Sequence, residues 1–254
     1  MKDLKYLYAY TIPLCAAISL WLQGFWSFLT PIYAFVLIPL LELLFPLKDD
    51  TNIASEERKG KSQLHWTDFL LYFNPFIVYG TLIVTLYTLS SQSHTTSEFI
   101  GLAFSCGIVL GANGINVAHE LGHRKHRFEQ WLGKFLLLPS LYMHFYIEHN
   151  FGHHLKAATK EDPATARYNQ SLYSFWVTSI FRQYFSAWKI QLDVLQREGR
   201  SFFSFKNDMF WYIPIQLLFG FLTLRVYGLF LLQLPLVLFF WKRLIILSIM
   251  VYYA

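Results

Sequence analysis

Residues 99–123 read FIGLAFSCGIVLGANGINVAHELGH, an unbroken apolar run that ends in a histidine motif. A helix needs about 20 apolar residues to cross the hydrocarbon core of a bilayer, and Phe99–Ala118 has that length. The motif that follows, His119-Glu120-Leu121-Gly122-His123, adds polar side chains with metal-binding capacity directly after this run. The stretch therefore predicts a membrane helix that carries a functional site at one end.

The rest of the chain repeats this apolar pattern, and we predict an all-α integral membrane protein with about six transmembrane helices. Of the 254 residues, 55% are hydrophobic and only 15% are charged, whereas soluble domains carry about 25% charged residues. This composition excludes a disordered chain, and two cysteines are too few for a disulfide framework. The other predicted spans are Tyr6–Gln23, Phe25–Phe45, Phe69–Leu89, Met209–Leu224 and Val226–Phe240.

Basic residues orient these spans, because loops rich in Lys and Arg stay on the cytoplasmic side. The stretch His119–Asp208 contains twelve of them, and the short link Ser90–Ser97 contains none. We therefore expect the N-terminus and the long stretch to be cytoplasmic. Within that stretch, Phe175–Glu198 resembles an amphipathic helix on the membrane surface. Leu132–Ile147, which is apolar but contains Pro139, is predicted to be re-entrant or interfacial.

Five histidines form two clusters, His119/His123 and His149/His153/His154. Residues four apart share one face of an α-helix, so each cluster can direct two imidazoles at one metal ion. His154 could then reach a second ion. Neutral imidazole suits iron, zinc, copper and nickel, and a histidine group at a membrane surface is costly unless it binds something.

Other interpretations of the same histidines stay open. His119–His123 also matches the H-E-x-x-H pattern of zinc proteases, in which the glutamate acts as the base. Such a protease site does not need three further histidines about thirty residues on. The clusters could also be hydrogen-bonded histidine networks without a metal. His126 belongs to a basic surface segment, and His144 is a structural candidate.

The second cluster lies in a longer motif, HFYIEHNFGHH at residues 144–154, and ATKEDPATAR follows at residues 158–167. Together with His119–His123 and the arrangement of the spans, these motifs resemble the membrane-bound alkane 1-monooxygenases. Those enzymes belong to the integral-membrane fatty acid desaturase and hydroxylase superfamily. The resemblance extends over most of the chain, up to about Phe240.

The resemblance implies a non-haem di-iron site in a bacterial inner membrane protein, with the metal site on the cytoplasmic side. It implies O₂-dependent hydroxylation of medium-chain alkanes, taken from the membrane lipid, to 1-alkanols. Rubredoxin and its reductase would supply the electrons, and no nucleic acid is involved. The implied metal ligands are His119, His123, His149, His153 and His154. Acids that could orient them are Glu120, Glu148, Glu161 and Asp162.

The family has two further histidine motifs, of the forms N-Y-x-E-H-Y-G-L and L-Q-R-H-S-D-H-H, but no histidine follows His154 here. Residues 241–254 read WKRLIILSIMVYYA. Codons for this segment, read one base earlier, can encode LETLNYIEHYGLLR, which contains the first of these motifs. We therefore expect residues 1–240 to form one hydroxylase domain and 241–254 to be an out-of-frame tail. A non-catalytic remnant is the alternative.

Overall fold

A computed structural model describes residues 7–45, 65–91 and 93–227. The regular structure in these ranges is entirely helical, which confirms the predicted all-α class for them. The chain divides into two compact units. In the described ranges, the first unit ends at Val117 and the second runs from Ala118 to residue 227.

The described part of the first unit contains four helices: α1 (Thr11–Leu22), α2 (Gly24–Leu44), α3 (His65–Ser91) and α4 (Thr96–Gly122), whose last turn belongs to the second unit. The apolar parts of α2, α3 and α4 are long enough to cross a membrane. They correspond to three of the predicted spans. The first predicted span is a shorter apolar helix, Leu7–Leu22.

Small and polar side chains bring the first unit's helices together. Gly101 lies against the backbone of Ser27, where a Cβ atom would come within 2.9 Å of the Ser27 carbonyl carbon. Deeper in the unit, Asn113 donates a 2.9 Å hydrogen bond to Asn74 Oδ1, and both amides are buried. Asn113 lies in a π-helical segment of α4, Leu110–Ile115. Hydrogen bonds between side-chain amides hold apolar helices together where water is absent.

Up to residue 227, the second unit has four further helices: α5 (Arg127–Leu137), α6 (residues 145–156), α7 (Leu172–Arg197) and α8 (Asp208–Tyr227). The predicted interfacial segment Leu132–Ile147 is not one helix, because α5 ends before Pro139 and Leu141 takes a left-handed conformation at φ 51°.

Two of the predicted segments lie in helices of the second unit. The predicted surface helix Phe175–Glu198 is helical, as part of α7. The fifth predicted span lies in α8, which is apolar but is not among the three described candidates for spanning a membrane. The sixth predicted span, Val226–Phe240, lies outside the described residues from residue 228 onward. The expected tail 241–254 lies outside them entirely.

An ionic contact ties α5, α6 and α8 together. Lys134 Nζ lies 2.5 Å from Asp208 Oδ2 and 4.5 Å from the centre of the Tyr146 ring. The Tyr212 hydroxyl donates to the same carboxylate oxygen at 3.1 Å. Hydrogen bonds to charged groups are the stronger ones in proteins. This contact therefore fixes the start of α8 beside the helix that carries the second histidine cluster.

Candidate metal centre

Four histidine side chains converge on one point in the second unit. Their Nε2 atoms are 3.0 Å apart for His119 and His123, 3.2 Å for His123 and His149, 3.1 Å for His149 and His154, and 3.4 Å for His123 and His154. One ring nitrogen from each of the four lies within 4.8 Å of those of the other three. The structure therefore brings the two sequence clusters into one group.

Local helix geometry explains which rings converge. His119 lies in the last turn of α4 and His123 directly follows the helix, so these residues, four apart, share a face as predicted. His149–His153 forms a π-helical turn, in which residues five apart align. His149 therefore meets His154, with their Nε2 atoms 3.1 Å apart, and the expectation that His149 and His153 share one metal ion stays a prediction.

The spacing of the four nitrogens fits one bound metal ion. Imidazole nitrogens bind Zn²⁺ at about 2.1 Å, which places neighbouring ligands about 3.0 to 3.4 Å apart for right-angled to tetrahedral geometry. Four of the six nitrogen–nitrogen distances lie in the same interval, 3.0 to 3.4 Å, and all six are within 4.8 Å. A neutral ring either donates or accepts at Nε2, so two of these rings can donate to the other two without a metal ion. A cation at the centre can accept all four lone pairs.

The fifth histidine, His153, is held apart from this group by a carboxylate. His153 Nδ1 lies 2.9 Å from Oδ2 of Asp162, whose side chain is fully buried. The Asp162 carboxylate also accepts hydrogen bonds from Thr165 Oγ1 at 2.5 Å and from the Ala164 backbone N–H at 2.9 Å. With Nδ1 engaged, Nε2 is the nitrogen through which His153 can bind a metal ion.

The pKa shifts follow these contacts. Burial, reinforced by the neighbouring histidines, lowers the pKa of His149 to about 2, so this ring stays neutral and able to bind metal at neutral pH. The hydrogen bond to Asp162 raises the pKa of His153 despite its partial burial. Burial alone would raise the pKa of Asp162, but the hydrogen bonds from His153, Thr165 and Ala164 lower it overall.

Of the other predicted acids, Glu148 is the one that lies inside the site region. Its side chain is buried, and burial together with the charge of Asp162 raises its pKa to about 7. Its Oε1 atom accepts no hydrogen bond from any residue in the described ranges. Glu120 instead pairs with Arg124 at 3.1 Å on an exposed face, and Glu161 is exposed.

Close packing holds the histidine-bearing helices in place. A Cβ atom on Gly152 would come within 2.8 Å of Ile190 Cδ1 on α7 and 3.0 Å of Glu148 Oε1. A Cβ on Gly133 of α5 would lie 3.0 Å from the Ala118 carbonyl oxygen, one residue before His119. These two glycines therefore allow the neighbouring helices to approach the histidine segments more closely than a larger residue would permit.

Sequence reasoning missed two contributors to the site. Thr165 was not predicted to bind Asp162, although an Asp followed by Pro and Ala often forms a turn in which its side chain accepts a backbone N–H. The contact between Gly152 and Ile190 joins residues 38 positions apart, and a single sequence gives no signal for it.

Comparison with known proteins gives the family. The fatty acid desaturase family model matches residues 95–254. The alkane 1-monooxygenase of Pseudomonas putida is 35% identical over 191 residues, which cover 75% of this chain and 47% of that protein. Alkane 1-monooxygenase 1 of Alcanivorax borkumensis is 36% identical over 184 residues, 72% of this chain and 45% of that protein.

A relative with a differently named substrate also matches. The hydroxylase component XylM of the xylene/toluene monooxygenase of Pseudomonas putida is 25% identical over 226 residues, 85% of this chain and 57% of that protein. The chain spans about half the length of the curated relatives it matches. Because the family model covers more than half of this chain, the chain belongs to the fatty acid desaturase family.

Proposed function

We propose that the chain takes part in the O₂-dependent hydroxylation of a terminal methyl group of medium-chain alkanes, at a non-haem iron site built from its histidines. The observation that carries this proposal is the convergence of four Nε2 atoms within 4.8 Å of one another. Relatives named alkane 1-monooxygenase, at 35% and 36% identity, support the choice of reaction. Iron fits the donor set because imidazole is one of its usual ligands.

In this proposal, the residues divide the work of holding the metal. His119, His123, His149 and His154 bind one iron through Nε2. His153, oriented by Asp162, contributes its Nε2 to a second iron of a di-iron site. Bound iron supplies the activation of O₂ that an unreactive C–H bond requires. Of the five histidines, this proposal places four at the first ion and one, His153, at the second.

The reaction inserts one oxygen atom into a terminal C–H bond. Written in full, R–CH₃, O₂, two electrons and two protons give R–CH₂OH and one water molecule. The alkane offers no polar group and partitions into the bilayer, so the site must be reached from the lipid. The two electrons come from a soluble donor, for which we propose rubredoxin and its reductase on the cytoplasmic side of the bacterial inner membrane.

The zinc protease alternative gains no support from the site. That mechanism needs the glutamate of the H-E-x-x-H motif to act as a base beside the metal. Glu120 instead lies on an exposed face with its carboxylate on Arg124, at 3.1 Å. The fourth nitrogen of the group, from His154, also takes up the position that a catalytic zinc keeps open for water.

The proposal is tested with isotopic oxygen. The full chain is prepared in membranes, loaded with iron and supplied with reduced rubredoxin, n-octane and ¹⁸O₂. We expect ¹⁸O-labelled 1-octanol from the unchanged chain and from His126→Ala, which alters an exposed histidine outside the group. His149→Ala should give none. Iron-loaded chain that forms no labelled alcohol, or equal product from His149→Ala, would contradict the proposal.

A further inference from the structure

Helix α7 exposes an apolar stripe. Large apolar side chains face outward along it at intervals of four residues: Tyr173, Val177, Phe181 and Phe185, with Leu192 further on. The side that packs inward combines polar and apolar residues: Ser179, Gln183 and Gln191 with Trp176, Ala187 and Leu195. An exposed apolar stripe of this length marks a surface that contacts another molecule or a membrane.

The loop that follows α7 continues the same surface. Phe203 and Phe205 are 74% and 86% exposed, and Phe202 stacks on Trp188 of α7 with ring centres 5.8 Å apart. At the other end of the loop, Phe205 stacks on Trp211 at 5.6 Å. We call the apolar stripe of α7 and the aromatic side chains of residues 202–205 the aromatic face.

The loop backbone is firmly organised, so the outward position of its aromatic rings is built into the fold. Asn207 is fully buried, donates to the Phe202 carbonyl oxygen at 2.9 Å and accepts from the Phe210 backbone N–H at 3.1 Å. Gln191 of α7 donates to the Lys206 carbonyl oxygen at 3.1 Å. Buried polar side chains thus satisfy the loop's backbone while large apolar ones point away from it.

We propose that the aromatic face lies in the membrane–water interface and contacts lipid. Trp and Tyr are enriched in this layer, and helices that lie in it carry Trp, Phe and Leu on their apolar face. The stretch from Arg182 to Lys206 carries five basic and two acidic residues, a balance that favours anionic headgroups. The surface also continues into α8, where Leu217, Leu218 and Phe221 are exposed on an apolar helix.

In this proposal, the aromatic face also fixes the depth of the histidine group in the membrane. Ile190 of α7 packs against Gly152, which lies between His149 and His153 in the π-helical turn. Fixing α7 in the interface therefore fixes the metal-binding segment at the same level of the membrane. The consequence for substrate entry, that an alkane reaches the site from the lipid beside it, rests on the proposed function, whereas the lipid contact does not.

Spin labels measure the depth of the aromatic face directly. After Cys15 and Cys106 are replaced by Ala, single cysteines are introduced as Phe203→Cys, Phe205→Cys and Tyr168→Cys. Tyr168 is the matched control, because it is 96% exposed in the same unit and lies outside the aromatic face. The full chain is reconstituted in vesicles of phosphatidylcholine and phosphatidylglycerol. Collision rates with O₂, which concentrates in lipid, and with a water-soluble nickel complex are then compared.

We expect the ratio of O₂ to nickel collisions to be several-fold higher at positions 203 and 205 than at position 168. Equal ratios at all three positions would show that the face lies in water and would overturn the proposal. Low collision rates with both reagents at 203 and 205 would show that protein covers the face, which overturns it as well. No outcome depends on hydroxylation, so this test fails or succeeds separately from the proposed function.

Discussion

The contact between Gly152 and Ile190 makes the sharpest prediction about the site. In Gly152→Ala, the new Cβ atom would lie 2.8 Å from Ile190 Cδ1, and an ordinary contact begins at 3.4 Å. Either the Ile190 side chain or the π-helical turn must therefore move by about 0.6 Å. Movement of the turn would displace the histidines, because metal-binding groups must be held within about 0.5 Å of their working geometry. We expect Gly152→Ala to weaken metal binding about tenfold, which corresponds to about 1.4 kcal/mol.

The assay is a competition titration of Zn²⁺ between a chromophoric chelator and the metal-free chain in mild detergent. Ile190→Val deletes the Cδ1 atom that the new methyl group would meet, and the double variant should recover most of the lost affinity. Gly80→Ala is the matched control, because nothing lies within 4 Å of its added Cβ. Unchanged affinity in Gly152→Ala, or no recovery in the double variant, would refute the reasoning.

Three further variants test separate parts of the structure. Asp162→Asn removes the charge that orients His153, and the Zn²⁺ titration should show binding of a second ion, which the proposal gives to His153, about tenfold weaker; unchanged binding of the second ion would remove Asp162 from the site. Glu120→Gln should alter Zn²⁺ affinity by less than about twofold, since exposed ion pairs contribute little. A larger loss would place Glu120 at the metal. Asn113→Leu deletes the bond to Asn74 and should lower stability against denaturing detergent by about 1 kcal/mol, whereas an equal unfolding midpoint would contradict that role.

The helical class and the two histidine clusters follow from local pattern, which is why the sequence predicts them. Apolar length predicts α3 and α4, and four-residue spacing predicts that His119 and His123 share a face. Span number is harder to predict, because an apolar run such as Leu7–Leu22 can form a helix whose described part has fewer than 18 residues. Hydropathy alone does not distinguish a membrane-spanning helix from a shorter apolar helix.

The pairing of His149 with His154 could not be predicted from the sequence, because it depends on a π-helical turn. An α-helical register would align His149 with His153 instead. Which acid orients His153 was equally open, since four carboxylates lie near the clusters in sequence. The turn at Asp162–Thr165 decides this by presenting one buried carboxylate to the ring. Both outcomes rest on backbone geometry and on contacts between helices.

X-ray absorption spectroscopy of the zinc-loaded chain tests the central claim, that four histidines from two clusters surround one ion. We expect four imidazole nitrogens at about 2.1 Å from the zinc. His149→Ala should lose one of them, and His126→Ala should leave the spectrum unchanged. A coordination shell made mainly of oxygen, or a shell that keeps all its imidazoles in His149→Ala, would contradict the account.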